Sequence, residues 1–224
     1  MRRAFEFVCA AAGLVLLSPL LALLAAAIKL EDGGPVFYAQ ARVGRDFCLF
    51  RLLKFRSMTP DAERRGLSIT TARDRRVTRV GALLRRYKLD ELPQLWNVLR
   101  GDIRLVGARP EVDRYVALFR PQYAEILRDR PGITDPASLA FRNESELLAD
   151  RDAEKLYIEQ ILPHKLQLSL EYARRRNFLS DLGVIFRTLA AVLWPARARC
   201  AERIATGVPP AGPPGATANN GSRL

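Results

Sequence analysis

The chain has 224 residues, of which 49% are hydrophobic, and a formal net charge of +12 at pH 7. This length suits one domain with a sizeable core, and the charge calls for an anionic partner such as nucleic acid, anionic lipid or a phosphorylated substrate. Its three cysteines, Cys9, Cys48 and Cys200, lack CxxC or Cys/His ligand spacing. They argue against a disulfide framework or a structural zinc site, and favour a reducing compartment.

An uncharged apolar segment opens the chain at residues 7–28, FVCAAAGLVLLSPLLALLAAAI. As a straight helix it would extend roughly 33 Å, close to the roughly 30 Å hydrocarbon thickness of a bilayer. Pro19 lies in its middle, where proline kinks or breaks a helix, and Ser18 can satisfy a freed carbonyl. Because basic residues flank both ends, we expect residues 1–30 to form a re-entrant helix-break-helix with both ends at the cytoplasmic face. A signal peptide and an ordinary transmembrane anchor are the alternatives.

A β-hairpin is predicted next. Aromatic and β-branched residues flank a turn signal, Val43-Gly44-Arg45-Asp46, within EDGGPVFYAQARVGRDFCLFRLLKFRSM. Residues 59–76 are polar and rich in turn formers, which predicts a loop with room for one helical turn. Helical spacing resumes at Val80.

Helices are predicted at about 90–100, 111–129 and 154–178, where apolar residues recur every three and four positions. A later helix carries one apolar face, followed by aromatic and basic residues, so it either lies in a membrane interface or packs on the core. These positions are Leu182, Ile185, Phe186, Leu189 and Leu193, then Trp194, Arg197 and Arg199. The sequence thus predicts a predominantly helical α+β domain over residues 31–205, and a disordered tail over residues 206–224.

Two adjacent carboxylates, Asp90 and Glu91, stand in YKLDELPQLWN, a stretch typical of a helix entry. Simple helix capping is one interpretation of such a pair. The surroundings favour another, because basic residues precede and follow the pair and the start of a helix also attracts phosphate. These basic residues are Arg85, Arg86, Lys88, Arg104 and Arg109. The pattern indicates a phosphate site.

Several ordered motifs resemble the bacterial sugar transferases, specifically the small monotopic polyprenyl-phosphate phosphoglycosyl transferases. They are LLSPLLALLAAAIKL, GPVFYAQARVG, KFRSM, RVTRVGALLRRYKLDELPQLWNVLRGD, LVGARPE and RPGITDPASLAFRNE. The resemblance covers roughly residues 2–194, and a series of motifs in order is more specific than any one of them.

The resemblance implies transfer of a phospho-sugar from a UDP-sugar to polyprenyl phosphate, with release of UMP. It makes Asp90 the nucleophile that forms an aspartyl phospho-sugar intermediate, and Glu91 the residue that holds Mg²⁺. Lys54, Arg56 and Arg109 correspond to anion-binding positions, and Arg85 joins them at the expected phosphate site. The sequence departs from the family pattern at three places. Ala108 stands where Pro is frequent, which puts rigidity before Arg109 in doubt. Asp46-Phe47 stands where an Asn-Gly type turn is frequent, which affects only a loop tip, and Lys88 stands where Ser or Thr is frequent.

The implied place of action is the bacterial inner membrane, with the catalytic domain facing the cytoplasm, in the first membrane step of cell-surface polysaccharide or glycoconjugate synthesis. The implied partners are the UDP-sugar, the polyprenyl phosphate and membrane lipid. The alternative is a membrane-anchored, non-enzymatic binder of anionic lipid or nucleic acid. Nucleic acid is disfavoured because the arginines cluster around two carboxylates and aromatic residues are only 8%. The identity of the sugar, the glycan and the oligomeric state are left open.

Overall fold

A computed structural model of the chain describes residues 2–62, 74–148 and 152–194. Within these ranges the fold is predominantly helical α+β, as predicted, with short strands. The predicted tail, Arg197, Arg199 and most of the predicted 59–76 loop lie outside the described residues. The helices are α1 Arg2–Leu16, α2 Ser18–Asp32, α3 Arg79–Arg86, α4 Gln94–Arg100, α5 Asp113–Leu118, α6 Arg120–Ile126, α7 Pro136–Ala140, α8 Glu144–Leu147, α9 Ala153–Leu156, α10 Leu162–Arg175 and α11 Phe178–Leu193; the strands are β1 Phe37–Val43, β2 Leu49–Phe55, β3 Arg104–Val106 and β4 Gly132–Thr134.

The N-terminal apolar segment is a bent pair of helices. α1 and α2 meet at Leu17 with a bend of 61°, directly before Ser18 and Pro19. Ser18 Oγ donates a 2.8 Å hydrogen bond to the carbonyl of Val15, which satisfies an acceptor at the break. Among the described residues, no single helix is long and apolar enough to cross a bilayer. By length and composition, this bent pair together could do so.

The predicted β-hairpin is confirmed. β1 and β2 pair antiparallel from Phe37 opposite Phe55 to Val43 opposite Leu49. The connection contains a 3-10 turn, in which Asp46 and Phe47 both adopt positive φ. Side chains alternate across a strand, so the hairpin turns one set of residues towards the helices and another set outward.

A second sheet, which the sequence reading did not predict, joins two three-residue strands. β3 pairs parallel with β4, with Arg104 opposite Gly132 and Val106 opposite Thr134. The backbones lie so close here that a Cβ on Gly132 would meet the amide nitrogen of Gly107 at 2.2 Å. Glycine is therefore required for this approach.

The predicted helix over 111–129 is wrong in one respect, because it is two helices. α5 ends at Leu118, and Phe119 has a non-helical ψ of 37° before α6 begins with Pro121 near its start. Proline has no amide hydrogen, so Pro121 cannot donate the bond that would continue the preceding helix. The predicted helix over 154–178 is also divided, into α9, a π-helical turn Tyr157–Ile161 and α10, which has Pro163 at its start.

The C-terminal helix α11 has one side against the body and one side exposed. Asn177 and Ser180 form a capping box at its start. Within the helix, the side chains of Asp181 and Val184 are buried against the body. Thr188 Oγ1 lies 2.8 Å from Thr134 Oγ1 on β4. Of the predicted apolar face, Phe186, Leu189 and Leu193 are exposed, together with Trp194. Packing on the body is therefore confirmed for one side of this helix, and a place in a membrane interface stays a prediction for the exposed side.

Three clusters of buried apolar residues hold these elements together. The largest lies among α5, α6 and α10 and includes Tyr115, Tyr123 and Ile161. A second joins α1 to α4 and β2 through Ala10, Leu52 and Val98. The third packs α2 against β2 and α3 through Ile28, Phe55 and Leu84. Since both N-terminal helices pack on the hairpin or on the helices beside it, the apolar segment is built into the body.

Candidate active site

The two carboxylates lie in a 3-10 turn, Leu89–Glu91, between α3 and α4. Lys88, with φ of 56°, is in the left-handed region and turns the chain sharply after α3. No side-chain cap is formed at the start of this turn or at the start of α4, where Pro93 is the cap residue. Helix capping therefore does not explain the presence of Asp90 and Glu91.

Glu91 lies in a cage of two cations from other elements. Arg109, in the loop after β3, donates from both terminal nitrogens to the two Glu91 oxygens, one bond being 3.0 Å. Lys54 Nζ on β2 lies 3.8 Å from Glu91 Oε1. Burial alone would raise the pKa of Glu91, but the positive charges of Arg109 and Lys54 outweigh it and hold that pKa well below its ordinary value. Glu91 is therefore ionised at neutral pH.

The environment of Asp90 differs from that of Glu91. Its residue exposure is 7%, and its Oδ1 is buried with no hydrogen-bond partner in the described part of the chain. Burial, followed by the negative charge of Glu91, raises the pKa of Asp90, while Lys54, Lys88 and Arg85 act in the other direction. Such a carboxylate is poorly solvated and lacks hydrogen bonds, and buried groups of this kind are frequent at active sites.

The basic residues near the pair are themselves perturbed. Burial lowers the pKa of Lys54 to about 8, although the charge of Glu91 acts to raise it. Burial also lowers the pKa of Arg85, with Asp90 as the main opposing charge. The positive charges of Lys54, Arg85 and Arg109 act on the two carboxylates, and they give the site the positive potential that binds phosphate groups.

The loop that carries Arg109 is fixed by hydrogen bonds at both ends. Before Arg109, the amide of Gly132 donates to the carbonyl of Ala108 at 2.9 Å. After it, the Glu111 carboxylate accepts from Arg42 Nη1 and from the Tyr157 hydroxyl, each at 2.7 Å. The backbone before Arg109 is therefore held by a hydrogen bond, although Ala108 stands where the family often has proline.

Arg56 is the predicted anion-binding residue that the structure does not bring to the carboxylate pair. Its Nε donates to the carbonyl of Pro35 at 2.6 Å, and both terminal nitrogens bond to the Asp32 carboxylate at the end of α2. The guanidinium is buried and serves to join the N-terminal helices to the hairpin. Lys54, two residues earlier and within β2, is the residue that reaches Glu91.

The carboxylates of Asp90 and Glu91 are the oxygen ligands that this site offers to a divalent cation. Within the described residues no group of three or more His, Cys, Asp or Glu side chains could hold a metal. Mg²⁺ is commonly held by one or two carboxylates together with substrate phosphates, and a carboxylate has about four lone-pair sites, of which Arg109 uses two at Glu91. The donor set therefore fits a Mg²⁺ ion that arrives with a diphosphate.

The site contains residues that sequence reasoning did not assign. Glu111 fixes the Arg109 loop, and Arg42 donates to Glu111 from β1. Gln94 is 1% exposed, and neither its Oε1 nor its Nε2 has a partner in the described part of the chain. Its position in the LDELPQL motif was the available signal, but burial without a partner is visible only in three dimensions.

The chain is similar to known proteins over most of its length. The sequence model of the family described as bacterial sugar transferase matches residues 1–195. The exopolysaccharide production protein ExoY of Rhizobium meliloti is 34% identical in an alignment of 206 positions that covers 85% of this chain and 84% of that protein. A UDP-glucose:undecaprenyl-phosphate glucose-1-phosphate transferase of Caulobacter vibrioides is 35% identical over 86% of this chain and 69% of its own length. A UDP-N-acetylgalactosamine-undecaprenyl-phosphate N-acetylgalactosaminephosphotransferase of Aeromonas hydrophila is 35% identical, and this chain spans 44% of it.

Proposed function

The chain belongs to the bacterial sugar transferase family, and on that premise we propose that it transfers a phospho-sugar from a UDP-sugar to polyprenyl phosphate and releases UMP. The relatives named for undecaprenyl-phosphate sugar phosphotransfer support this reaction class. The observation that carries it is the buried Asp90, with a free Oδ1, beside a Glu91 held by Arg109 and Lys54. Undecaprenyl phosphate is the proposed acceptor, in the first membrane step of exopolysaccharide or other cell-surface glycan synthesis.

The reaction takes two displacements at one phosphorus. In the first, an ionised Asp90 oxygen bonds to the sugar-bearing phosphorus as the bond from that phosphorus to the bridging oxygen breaks, and UMP leaves with the electron pair. In the second, a phosphate oxygen of the lipid attacks the same phosphorus, and the bond to Asp90 breaks. The products are the lipid diphosphate sugar and the original carboxylate.

The residues around Asp90 make this attack feasible. A carboxylate approaching a diphosphate is repelled by it, and Lys54, Arg85 and Arg109 offset that repulsion in a site from which water is largely excluded. The bidentate hold of Arg109 on Glu91 keeps the second carboxylate from competing as nucleophile. Asp90, with no such cation bonded to its Oδ1, retains the free oxygen.

Mg²⁺ is the proposed cofactor, held by Glu91 together with the donor diphosphate. When bound it supplies positive charge that offsets the charge of the diphosphate and of the leaving nucleotide. Glu91→Gln should then raise the Mg²⁺ concentration needed for half-maximal turnover, whereas unchanged Mg²⁺ dependence in that variant would remove Glu91 from the metal site.

The N-terminal helices are proposed to enter and leave the same leaflet of the bacterial inner membrane, with the catalytic domain at the cytoplasmic face. The 61° bend and the exposed apolar side chains of Val15, Leu16 and Leu23 support this arrangement. In a variant whose native cysteines are replaced by Ser, cysteines introduced at Arg2 and Arg45 should both be labelled only from the cytoplasm. Periplasmic labelling of the Arg2 position would show that the segment spans.

A donor screen tests the reaction itself. Release of UMP from a panel of UDP-sugars should require both the matching donor and polyprenyl phosphate for multiple turnovers. Ping-pong chemistry further predicts that labelled UMP exchanges into the UDP-sugar when no acceptor is present. If no UDP-sugar supports UMP release or exchange with purified protein in lipid, the proposed reaction is wrong.

A further inference from the structure

Arg42, on β1, is a largely buried arginine whose three guanidinium nitrogens are all bonded within the protein. Nε and Nη2 donate to Oε1 of Gln40 at 3.0 and 2.6 Å. Nη1 donates to the carbonyl of Pro110 at 3.2 Å and to the carboxylate of Glu111 at 2.7 Å. Because these contacts fix the guanidinium, Arg42 does not serve as a binder of substrate phosphate, and its effect on the reaction must pass through the residues that it holds.

The bonds of Arg42 Nη1 end on the two residues that directly follow Arg109. A buried ion pair such as Arg42 with Glu111 is weak evidence for stability, because taking both charges out of water costs free energy that their attraction only partly returns. The backbone makes a further bond at the same place, since the amide of Val43 donates to the carbonyl of Glu111 at 3.0 Å. Strand β1 therefore holds the chain just beyond Arg109 through a side chain and through the backbone.

The chain on the other side of Arg109 is held by the small parallel sheet. The amide of Gly107 donates to the carbonyl of Thr134, and the amide of Gly132 donates to the carbonyl of Ala108, each at 2.9 Å. Arg109 thus lies on a short span between two supports, one at β4 and one at β1. Loss of either support should let its side chain move.

From these contacts, and resting on the proposed function above, we infer that Arg42 is a positioning residue that aims the Arg109 guanidinium at the active site. Arg109 bonds to both oxygens of Glu91 and supplies positive charge for the donor diphosphate. Lys54, the other cation at Glu91, lies on β2, the strand that pairs with β1. The hairpin therefore places both cations, Lys54 directly and Arg109 through Arg42.

A double-mutant cycle tests whether Arg42 acts through Arg109. Arg42→Met keeps most of the side-chain length and removes every donor. It should lower kcat/KM for the UDP-sugar by about 10- to 100-fold per folded molecule, the cost of misplacing a substrate-binding group by about 1 Å. In an Arg109→Ala background there is no guanidinium to misplace, so the same substitution should change kcat/KM by less than about twofold. Equal effects in both backgrounds would overturn the inference.

Arg42→Lys separates orientation from charge. The charge of Arg42 also acts on Lys54, so its loss alone would alter the site. A lysine keeps that charge but does not reproduce the planar fork that spans Gln40 and Glu111. Arg42→Lys should therefore stay at least about fivefold below the wild type in kcat/KM, and full recovery would assign the effect to charge and overturn the positioning role. If Arg42→Met does not accumulate as folded protein, Arg42→Lys carries the same cycle with Arg109→Ala.

Hydrogen exchange measured by mass spectrometry tests the contact without any substrate. In Arg42→Met the amides of Val43 and Val112, which donate to the carbonyl and the carboxylate of Glu111, should exchange faster than in the wild type. Arg176→Met is the matched control, because the Arg176 side chain is 13% exposed, against 15% for Arg42, and bonds to Asp129. It should leave these exchange rates and kcat/KM per folded molecule within about twofold of the wild type.

The two measurements distinguish a failure of this role from a failure of the proposed function. Unchanged exchange of the Val43 and Val112 amides in Arg42→Met, or an equal loss of kcat/KM in Arg176→Met, would overturn the role of Arg42 while the wild type still turns over. If the wild type turns over no UDP-sugar, the proposed function is wrong and a positioning role in that reaction falls with it.

Discussion

Two clusters of buried charge in this protein are built in opposite ways. The first, which we call the tether cluster, surrounds Arg104 on β3: Arg104 Nε bonds to Glu6 on α1 at 2.9 Å, and Nη1 bonds to Asp129 at 3.0 Å. Asp181 on α11 accepts from the Tyr172 hydroxyl at 2.7 Å. The second cluster is the active site, where Asp90 Oδ1 and both polar atoms of Gln94 are left without partners.

The contrast shows how buried charge is used in each place. In the tether cluster the charges offset one another, and together they link the N-terminal helix, the small parallel sheet and the C-terminal helix. In the active site only Glu91 is neutralised in this way, and its neighbour is left under-bonded at the expense of stability. Substitutions in the two clusters should therefore separate stability from turnover.

Asp90→Asn should give the largest effect on turnover. It preserves volume but removes the nucleophile, so turnover should fall by about three or more orders of magnitude. Because burial and Glu91 raise the pKa of Asp90, the amide should leave the free energy of unfolding unchanged or increase it. Steady-state UMP release and chemical denaturation in detergent measure the two quantities, and a clear loss of stability would contradict the contrast.

Arg104→Ala should give the largest effect on stability. It leaves Glu6 and Asp181 buried without their cation, and breaking a buried ion pair from one side typically costs about 3–5 kcal/mol. The free energy of unfolding should fall by about that amount, while turnover per folded molecule stays close to that of the wild type. A loss below about 1 kcal/mol would show that this cluster is not a tether.

Lys54 should make donor binding depend on pH on the alkaline side. Burial lowers the pKa of Lys54 to about 8, so its positive charge is present below that pH and is lost as the pH rises through it. The value of kcat/KM for the UDP-sugar should fall above about pH 8. Lys54→Arg, whose side chain stays protonated, should flatten that limb, and an unchanged limb in this variant would assign the titration to another group.

Asp32 should give the smallest effect, because its side chain is partly exposed at the end of α2 and an asparagine oxygen there can still accept from the buried Arg56 guanidinium. Hydrogen bonds from Arg56, and then from the Gly34 amide, lower the pKa of Asp32 to about 2. The stabilisation is complete above the ordinary aspartate value and is lost as pH falls towards about 2. Asp32→Asn should change the free energy of unfolding at neutral pH by less than about 1 kcal/mol, measured by denaturation, and a larger loss would place this pair with the tether cluster.

The parts of the fold that follow from local chemistry were predictable. The helix break at Ser18 and Pro19, and the hairpin around Gly44 and Asp46, each depend on residues within one turn of chain. The break in the helix predicted over 111–129 could also have been predicted from Pro121, but the apolar periodicity continues across that break. The parallel pairing of β3 with β4 was not predictable, because each strand has three residues and the partner lies far away in sequence.

The residues of the active site were likewise predictable only in part. The motif around Asp90 identified the pair, and the resemblance selected Lys54 and Arg109, which the fold brings to Glu91. Arg56 lies in the same KFRSM motif, yet its guanidinium bonds to Asp32. Lys54 lies on β2 and Arg56 lies just beyond its end, and residues two apart point to the same side of a strand, so alternation does not separate them. The tertiary partners, Glu91 for Lys54 and Asp32 for Arg56, make the difference, and the sequence alone does not show them.

The covalent step at Asp90 is the central claim, and intact-protein and peptide mass spectrometry test it most directly. Enzyme incubated with its UDP-sugar and Mg²⁺, without polyprenyl phosphate, should gain the mass of one phospho-sugar on the peptide that contains Asp90. Asp90→Asn should gain none, and addition of polyprenyl phosphate should remove the adduct from the wild type. Normal turnover with no adduct at any time point, or an adduct that persists in Asp90→Asn, would contradict the account and favour direct attack by the lipid phosphate or another nucleophile.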